Sequence, residues 1–267
     1  MRPAETLNPG LPRVLLSRVE DAGLNASAPP AQWWVDGWLV RAWPGKARRA
    51  RCVNALMPGL MSLPEQLAAA ETLCAQQGVP LIFRITPFTQ PHGLEDELRA
   101  HGFEVVDPTW VLVRPEAALS LPPQPPPPVP AGLQLQALAG ADFAEAVGAL
   151  RSSPPAHRHS HALRLQHSPA PYRGLALRRA SDGAVLACGQ VAVEPPWAGL
   201  YDVYTHPEAR NQGLARLLCE HLLTLGATLG GTSAYLQVDA GNEPALAVYR
   251  RLGFIEGYGY RYLERPA

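Results

Sequence analysis

The chain reads as a mixed α/β protein of the α+β type, built as two tandem copies of one plan, each a mostly antiparallel sheet flanked by helices. Three observations predict this. A proline run, Ser120-Leu121-Pro122-Pro123-Gln124-Pro125-Pro126-Pro127-Pro128-Val129-Pro130, interrupts the chain near its middle. The second half alternates short strand patterns with amphipathic helix patterns. Two elements of that half recur, in the same order, in the first half.

A run of prolines adopts an extended polyproline conformation and joins neither a helix nor a central strand. It marks a linker over residues 119–130, with an N-terminal domain at 1–118 and a C-terminal domain at 131–267. A length of 267 residues accommodates two domains of ordinary size.

In the second half, Leu133 to Leu138 reads as a strand and Asp142 to Leu150 as a helix. Ser152 to Pro171 reads as a His- and Pro-rich loop. Gly174 to Arg179 and Val185 to Val193 are strands meeting at the hairpin turn Ser181-Asp182-Gly183. Leu200 to Thr205 is the next strand. A helix from Leu214 carries Leu214, Leu217, Leu218, Leu222, Leu225 and Leu229 at helical spacing and stops at Gly230-Gly231. Ala234 to Val238 is a strand. Asn242 caps a helix from Glu243 to Leu252, with Pro244 tolerated in its first turn. Tyr258 to Leu263 is the closing strand.

The first half repeats this plan in worn form. Trp38 to Ala42 and Arg51 to Ala55 read as strands, and Leu63 to Gln76 as a helix stopping at Gly78. Leu81 to Thr86 corresponds to Ala234 to Asp239, and Leu94 to Phe103 to the helix ending at Gly253-Phe254.

Composition narrows the class. The chain is 47% hydrophobic and 17% charged, which is globular, and 23 basic residues balance 23 acidic ones. A net charge of zero gives no electrostatic footprint for nucleic acid or an anionic membrane. Cys52, Cys74, Cys188 and Cys219 are scattered, with no Cys-x-x-Cys pair, and read as buried reduced thiols. The opening residues lack the apolar core of a signal peptide, and no apolar run approaches ~20 residues. The expectation is a cytoplasmic protein.

One stretch carries chemistry. Tyr201-Asp202-Val203-Tyr204-Thr205 is an alternating strand that leaves the sheet at His206-Pro207-Glu208 and opens a helix through Arg210-Asn211-Gln212-Gly213-Leu214-Ala215. A glycine turn at a helix N-terminus presents free backbone N–H groups, and the helix dipole adds partial positive charge. Together they bind phosphate oxygens. The corresponding place in the first half is Met57-Pro58-Gly59-Leu60-Met61-Ser62, which lacks the Arg-x-x-Gly-x-Ala pattern and loses a donor to proline. The second copy alone is expected to bind phosphate. Gly-x-x-x-x-Gly-Lys and Gly-x-Gly-x-x-Gly are both missing, so a nucleotide-binding protein is excluded.

At these residues the chain resembles the GNAT superfamily of N-acetyltransferases. Arg210-Asn211-Gln212-Gly213-Leu214-Ala215 matches the family's (Gln/Arg)-x-x-Gly-x-(Gly/Ala) motif. The run Asn242-Glu243-Pro244-Ala245-Leu246-Ala247-Val248-Tyr249-Arg250-Arg251-Leu252-Gly253-Phe254 matches its Asn-x-x-Ala-x-x-x-Tyr-x-x-x-Gly-Phe motif. The resemblance covers about Leu133 to Leu263. It implies acetyl-CoA as co-substrate and an amine of a small molecule or peptide as acceptor. It implies that Val203, Tyr204 and Thr205 pair with the pantetheine arm, and that Asn211 to Arg216 (Asn211, Gln212, Gly213, Leu214, Ala215, Arg216), led by Arg210, hold the pyrophosphate. Asn242 then reaches the pantetheine from the other side. The resemblance further implies that a backbone N–H, that of Val203, polarises the thioester and that Tyr249, otherwise a core aromatic, is the general acid for the departing thiolate.

The general base stays open. Gln237 stands where the family's ribosomal-protein alanine acetyltransferases carry a glutamate, and it cannot take a proton. Asp202, Glu194 and the histidines of the loop, acting through water, are the candidates. His157-Arg158-His159-Ser160-His161, with His167 beyond, places alternating rings on one side of an extended chain, as a metal would need. No nearby carboxylate or cysteine supports that, and no metal is expected. A solvated loop with an acceptor-side role is the working expectation. Trp33, Trp34, Trp38 and Trp43 read as core or interface packing, or as a platform beside the acceptor. The rival class is a sensor that holds acetyl-CoA without turnover. Two copies in one chain fit a monomer or a homodimer.

Overall fold

A computed structural model describes residues 7–115 and 125–266. In chain order the first half forms α1 (Arg13–Ala26), β1 (Gln32–Val35), β2 (Trp38–Arg41), β3 (Val53–Ala55), α2 (Leu63–Gln76), β4 (Ile82–Ile85), α3 (Leu94–Ala100) and β5 (Glu104–Arg114). The second half begins with β6 (Leu133–Leu138), α4 (Gly140–Leu150), α5 (Pro155–Gln166), β7 (Tyr172–Arg179) and β8 (Val185–Glu194). It continues with β9 (Trp197–Thr205), α6 (Leu214–Thr228), β10 (Ser233–Asp239), α7 (Glu243–Arg251) and β11 (Ile255–Glu264). The fold is mixed α/β with mostly antiparallel strands. Two compact units emerge: the described residues among 1–111, 238–241 and 256–267, and those among 112–237 and 242–255. The proline run remains the proposed covalent boundary. Its residues 119–124 lie outside the described residues, and 125–130 form neither helix nor strand.

The first unit orders its strands β1-β2-β3-β4-β11-β5. β1 and β2 form a hairpin turned by Asp36 and Gly37, both at positive φ (42° and 88°). β3 runs parallel to β4, and β11 runs antiparallel to it from Arg261↔Ile85 to Glu264↔Ile82. The chain's last strand is therefore counted with the first unit. Trp38, Phe83 and Phe103 stack edge to face in the core, with ring centroids 5.0 and 5.3 Å apart. Of the clustered tryptophans, Trp38 is core, whereas Trp34 is 60% exposed.

Inside this unit Glu20 of α1 is paired with Arg84 of β4 and accepts from the Tyr258 hydroxyl of β11. Burial alone would raise the Glu20 pKa. The Arg84 charge and the hydrogen bonds from Arg84 and Tyr258 outweigh it and hold the carboxyl below its usual range. No strong apolar period marks α1, because its buried face combines Leu16 and Val19 with Glu20, Ala22 and Gly23.

The second unit orders its strands β10-β9-β8-β7-β6. Pairings from β6 to β9 are antiparallel, and β9–β10 is parallel. Neighbouring positions on β7 and β8 face opposite sides of the pleat. A Cβ on Gly174 would meet Phe143 of α4, and one on Gly189 would meet Leu222 and Leu218 of α6. Gly174 pairs with Gln190, the neighbour of Gly189. So α4 covers one face and α6 the other. α6 buries Leu214, Leu218, Cys219, Leu222, Leu223 and Gly226, while Leu229 is 41% exposed. That stripe is rotated from the leucine spacing because Gly226 lets the helix approach Ala198 and Val191.

One expectation is corrected here. The segment read as a loop, Ser152 to Pro171, contains the helix α5. Pro155 sits in its first turn, where a missing N–H costs nothing. Its inward residues are Ser160, Arg164 and Leu165, so the buried stripe is mostly polar and leaves no apolar period to read.

Candidate functional site

The ladder between β9 and β10 runs only from Ser233↔Trp197 to Leu236↔Leu200, although the strands continue to Thr205 and Asp239. The two strands thus part after Leu200. A bulge in β9 accompanies the parting. Cys188 faces Tyr204 and Gln190 faces Tyr201, so Asp202 and Val203 together oppose Gly189. Asp202 takes a φ of 53°, which a non-glycine residue adopts at a local cost. Val203 packs toward α6, since a Cβ on Gly189 would lie 3.1 Å from Val203 Cγ2. Two guanidinium groups lie over the Tyr204 ring, Arg151 at 5.4 Å and Arg210 at 5.8 Å from its centroid. Thr205 Oγ1 is enclosed and has no hydrogen-bond partner among the described residues.

The turn that follows is held by Ala209 N–H to His206 O (2.9 Å), Arg210 N–H to Pro207 O (3.3 Å) and Leu217 N–H to Gly213 O (3.0 Å). Between them, the N–H groups of Asn211 to Arg216 meet no acceptor among the described residues. Asn211 (φ 61°) and Gly213 (φ 76°) both sit in the left-handed region, which turns successive N–H groups to one side. The side chains of Arg210, Asn211, Gln212 and Arg216 are exposed around this cradle, while Leu214 anchors it in the core.

The corresponding turn of the first unit is filled. The Asp36 carboxylate accepts from Leu60 N–H (2.9 Å) and Met61 N–H (2.7 Å), and Ser62 N–H donates to Glu65 (2.8 Å). A Cβ on Gly59 would overlap the Asp36 carboxylate. The chain's own anion thus occupies the amides that a phosphate would need. Those backbone hydrogen bonds also lower the Asp36 pKa.

Asn242 caps α7, its Oδ1 accepting from Ala245 N–H at 3.2 Å, which leaves Nδ2 as the group able to reach a ligand. Tyr249 of the same helix is 9% exposed and packs edge to face on Phe254 at 6.1 Å. Burial, with Cys219 close by, pushes its phenol far above the ordinary tyrosine range, so it holds its proton throughout the working pH range. Burial likewise pushes the Cys219 thiol up to about 12. That thiol is inert packing.

Below the bulge lies a charged cluster that joins two of the candidate bases, Asp202 and His161, to partners the sequence did not single out. Asp202 Oδ1 accepts from Arg151 Nη1 at 2.9 Å, and Oδ2 accepts from Gln190 Nε2 at 2.8 Å and faces His161 Nε2 at 3.4 Å. Burial would raise this carboxyl. The Arg151 charge, then His161 and Arg164, hold it well below the usual carboxylate range. This overturns Asp202 as a base, because a carboxylate so clamped does not take a proton from an amine. Glu194 pairs with Trp197 at the far end of the hairpin, five residues or about 16 Å of strand from Asp202. It is too remote to serve. The histidines separate in the same way: His157 and His159 on α5 and His167 just after it are exposed, and His161 turns inward against Phe143. Among the described residues no group of three or more His, Cys, Asp or Glu side chains is placed to hold a metal ion.

The sequence model of the acetyltransferase (GNAT) family matches residues 143–254. The [ribosomal protein bS18]-alanine N-acetyltransferase of Salmonella typhimurium is 35% identical over 85 residues, 32% of this chain and 56% of that one. Its Escherichia coli K12 counterpart is 37% identical over 73 residues, 27% and 48%. The chain spans about half the length of these relatives. A GCN5-related N-acetyltransferase from Kribbella flavida shares the fold over 95% of this chain and 96% of its own, with a TM-score of 0.65 and 22% identity. A tandem GNAT protein from the clavulanic acid biosynthesis pathway does so over 81% and 75%, with 0.61 and 19%. At these identities the likeness is one of fold.

Proposed function

We propose, from the match of residues 143–254 to the acetyltransferase (GNAT) family, that the protein transfers acetyl from acetyl-CoA to a primary amine of a small molecule or peptide. The observation that carries this reading is the parting of β9 from β10 beside the amides of Asn211 to Arg216, which meet no acceptor among the described residues. The parted edge of Val203 to Thr205 offers backbone groups to an extended amide-bearing arm, as an added strand does. The cradle suits the diphosphate, with Arg210 and Arg216 at its rim. In this reading Val203 N–H, at the bulge, stabilises the carbonyl oxygen as it gains charge. Tyr249 donates a proton to the departing sulfur. The alanine-acetylating relatives make an alanine-initiated peptide the first acceptor to try. Gln237, which cannot act as a base, keeps a non-catalytic acetyl-CoA sensor as the second reading.

Calorimetry with acetyl-CoA, followed by thiol release with a panel of an alanine-initiated peptide, free alanine, spermidine and glucosamine, tests both readings. Heat with thiol release supports the transferase. Heat without release favours the sensor, and no heat removes both. Gly213→Val is expected to weaken acetyl-CoA binding at least tenfold. Its Cβ would meet open space, so the loss would arise from the forced backbone change alone. Among the described residues no helix is long and apolar enough to cross a membrane.

A further inference from the structure

We infer that His161, oriented by Asp202, is the group that takes the proton from the acceptor amine. The inference rests on the transferase reading and supplies the base that reading lacks. α5 carries His161 inward, where its side chain is 17% exposed. Nε2 is the enclosed nitrogen and faces Asp202 Oδ2 at 3.4 Å. A carboxylate on one ring nitrogen holds the proton there and leaves the other nitrogen basic. Nδ1 is therefore the accepting atom. Asp202 is fixed by Arg151 from the end of α4 and by Gln190 from β8, and Arg164 lies one turn along α5. Cys188 of β8 also lies near Arg151 and Asp202 and stays protonated up to about 12. Asp202 immediately precedes Val203, so the bulge that sets the polarising N–H also aims the carboxylate at His161.

The step balances. His161 Nδ1 takes one proton from the ammonium form of the acceptor, freeing the nitrogen lone pair. The nitrogen forms its bond to the thioester carbonyl carbon, and the carbon–sulfur bond breaks with its electron pair on sulfur. A second nitrogen proton replaces the one Tyr249 gives to sulfur, and the third stays on the amide. The proton on Nδ1 passes to water.

The test compares wild type with His161→Gln, His161→Ala, His157→Ala and His159→Ala, using acetyl-CoA and the best amine of the panel above. His161→Gln is expected to lower kcat/KM at neutral pH by about 100-fold or more, with acetyl-CoA affinity unchanged by calorimetry. Its rate should then climb tenfold per pH unit until the free amine forms by itself. Added imidazole should restore part of the His161→Ala rate. The exposed-histidine variants should match wild type. A His161→Gln protein with wild-type rate and pH profile overturns the base while the transferase stands. So does a His161→Ala protein that loses rate without imidazole rescue or a changed profile, which marks a structural role. A wild type that gives no heat with acetyl-CoA, or no thiol release with any amine, removes the transferase reading and this inference with it.

Discussion

Tyr249 combines two demands in one side chain. Its ring is core packing against Phe254, and its hydroxyl sits close to Cys219 in a dry environment. A phenol so far from titration does not produce a limb in the pH–rate profile. In the proposed transfer it donates in the step where the sulfur gains charge, and is then restored. Tyr249→Phe keeps the packing and removes the proton. We expect kcat to fall about 100-fold, with acetyl-CoA affinity unchanged, read by thiol release and by calorimetry. An unchanged kcat would leave Tyr249 as packing alone. Its place was legible in sequence because Asn242 and Tyr249 lie on one short capped helix. His161 was not, because its helix presents a polar stripe inward and no apolar period marks it.

At the scale of elements, one carboxylate ties α1 to β4 and β11. Glu20 is 5% exposed, and its partners come from positions 84 and 258. Removing one partner of a buried pair leaves the other uncompensated, at a cost of about 3–5 kcal/mol. Glu20→Gln is therefore expected to lower the denaturation midpoint in urea by that equivalent. The pH dependence has a definite sign. The folded pKa of Glu20 lies below its unfolded value of about 4.3. Its stabilisation is therefore fully present above that pH and lost as pH falls through the folded value. Wild type should lose more stability on acidification than the variant, measured by urea melts at pH 7 and pH 3. The strands and helices involved were partly readable from alternation and spacing. The pair itself was not, because no local pattern announces which charge a helix will bury.

For the whole molecule, the question is how many co-substrates one chain holds. The two halves repeat a strand–turn–helix, but only the second leaves its turn amides open. In the first, Asp36 and Glu65 take the amides of Leu60, Met61 and Ser62. We expect one acetyl-CoA per chain by calorimetry. A stoichiometry of two would show that Asp36 yields its place.

The sequence by itself determined the features that are local in physics. A glycine at positive φ, a capped helix start, a hairpin turn and an amphipathic stripe each depend on residues within a few positions of one another. These made the glycine turn at Gly213 and the capped helix from Asn242 readable. Tertiary structure alone decided the pairings across long stretches of chain: Asp36 over the turn at Leu60, Glu20 with Arg84 and Tyr258, and His161 with Asp202. Each joins charged groups whose burial is favourable only once a distant partner is in place, so neither partner's own neighbourhood records the choice.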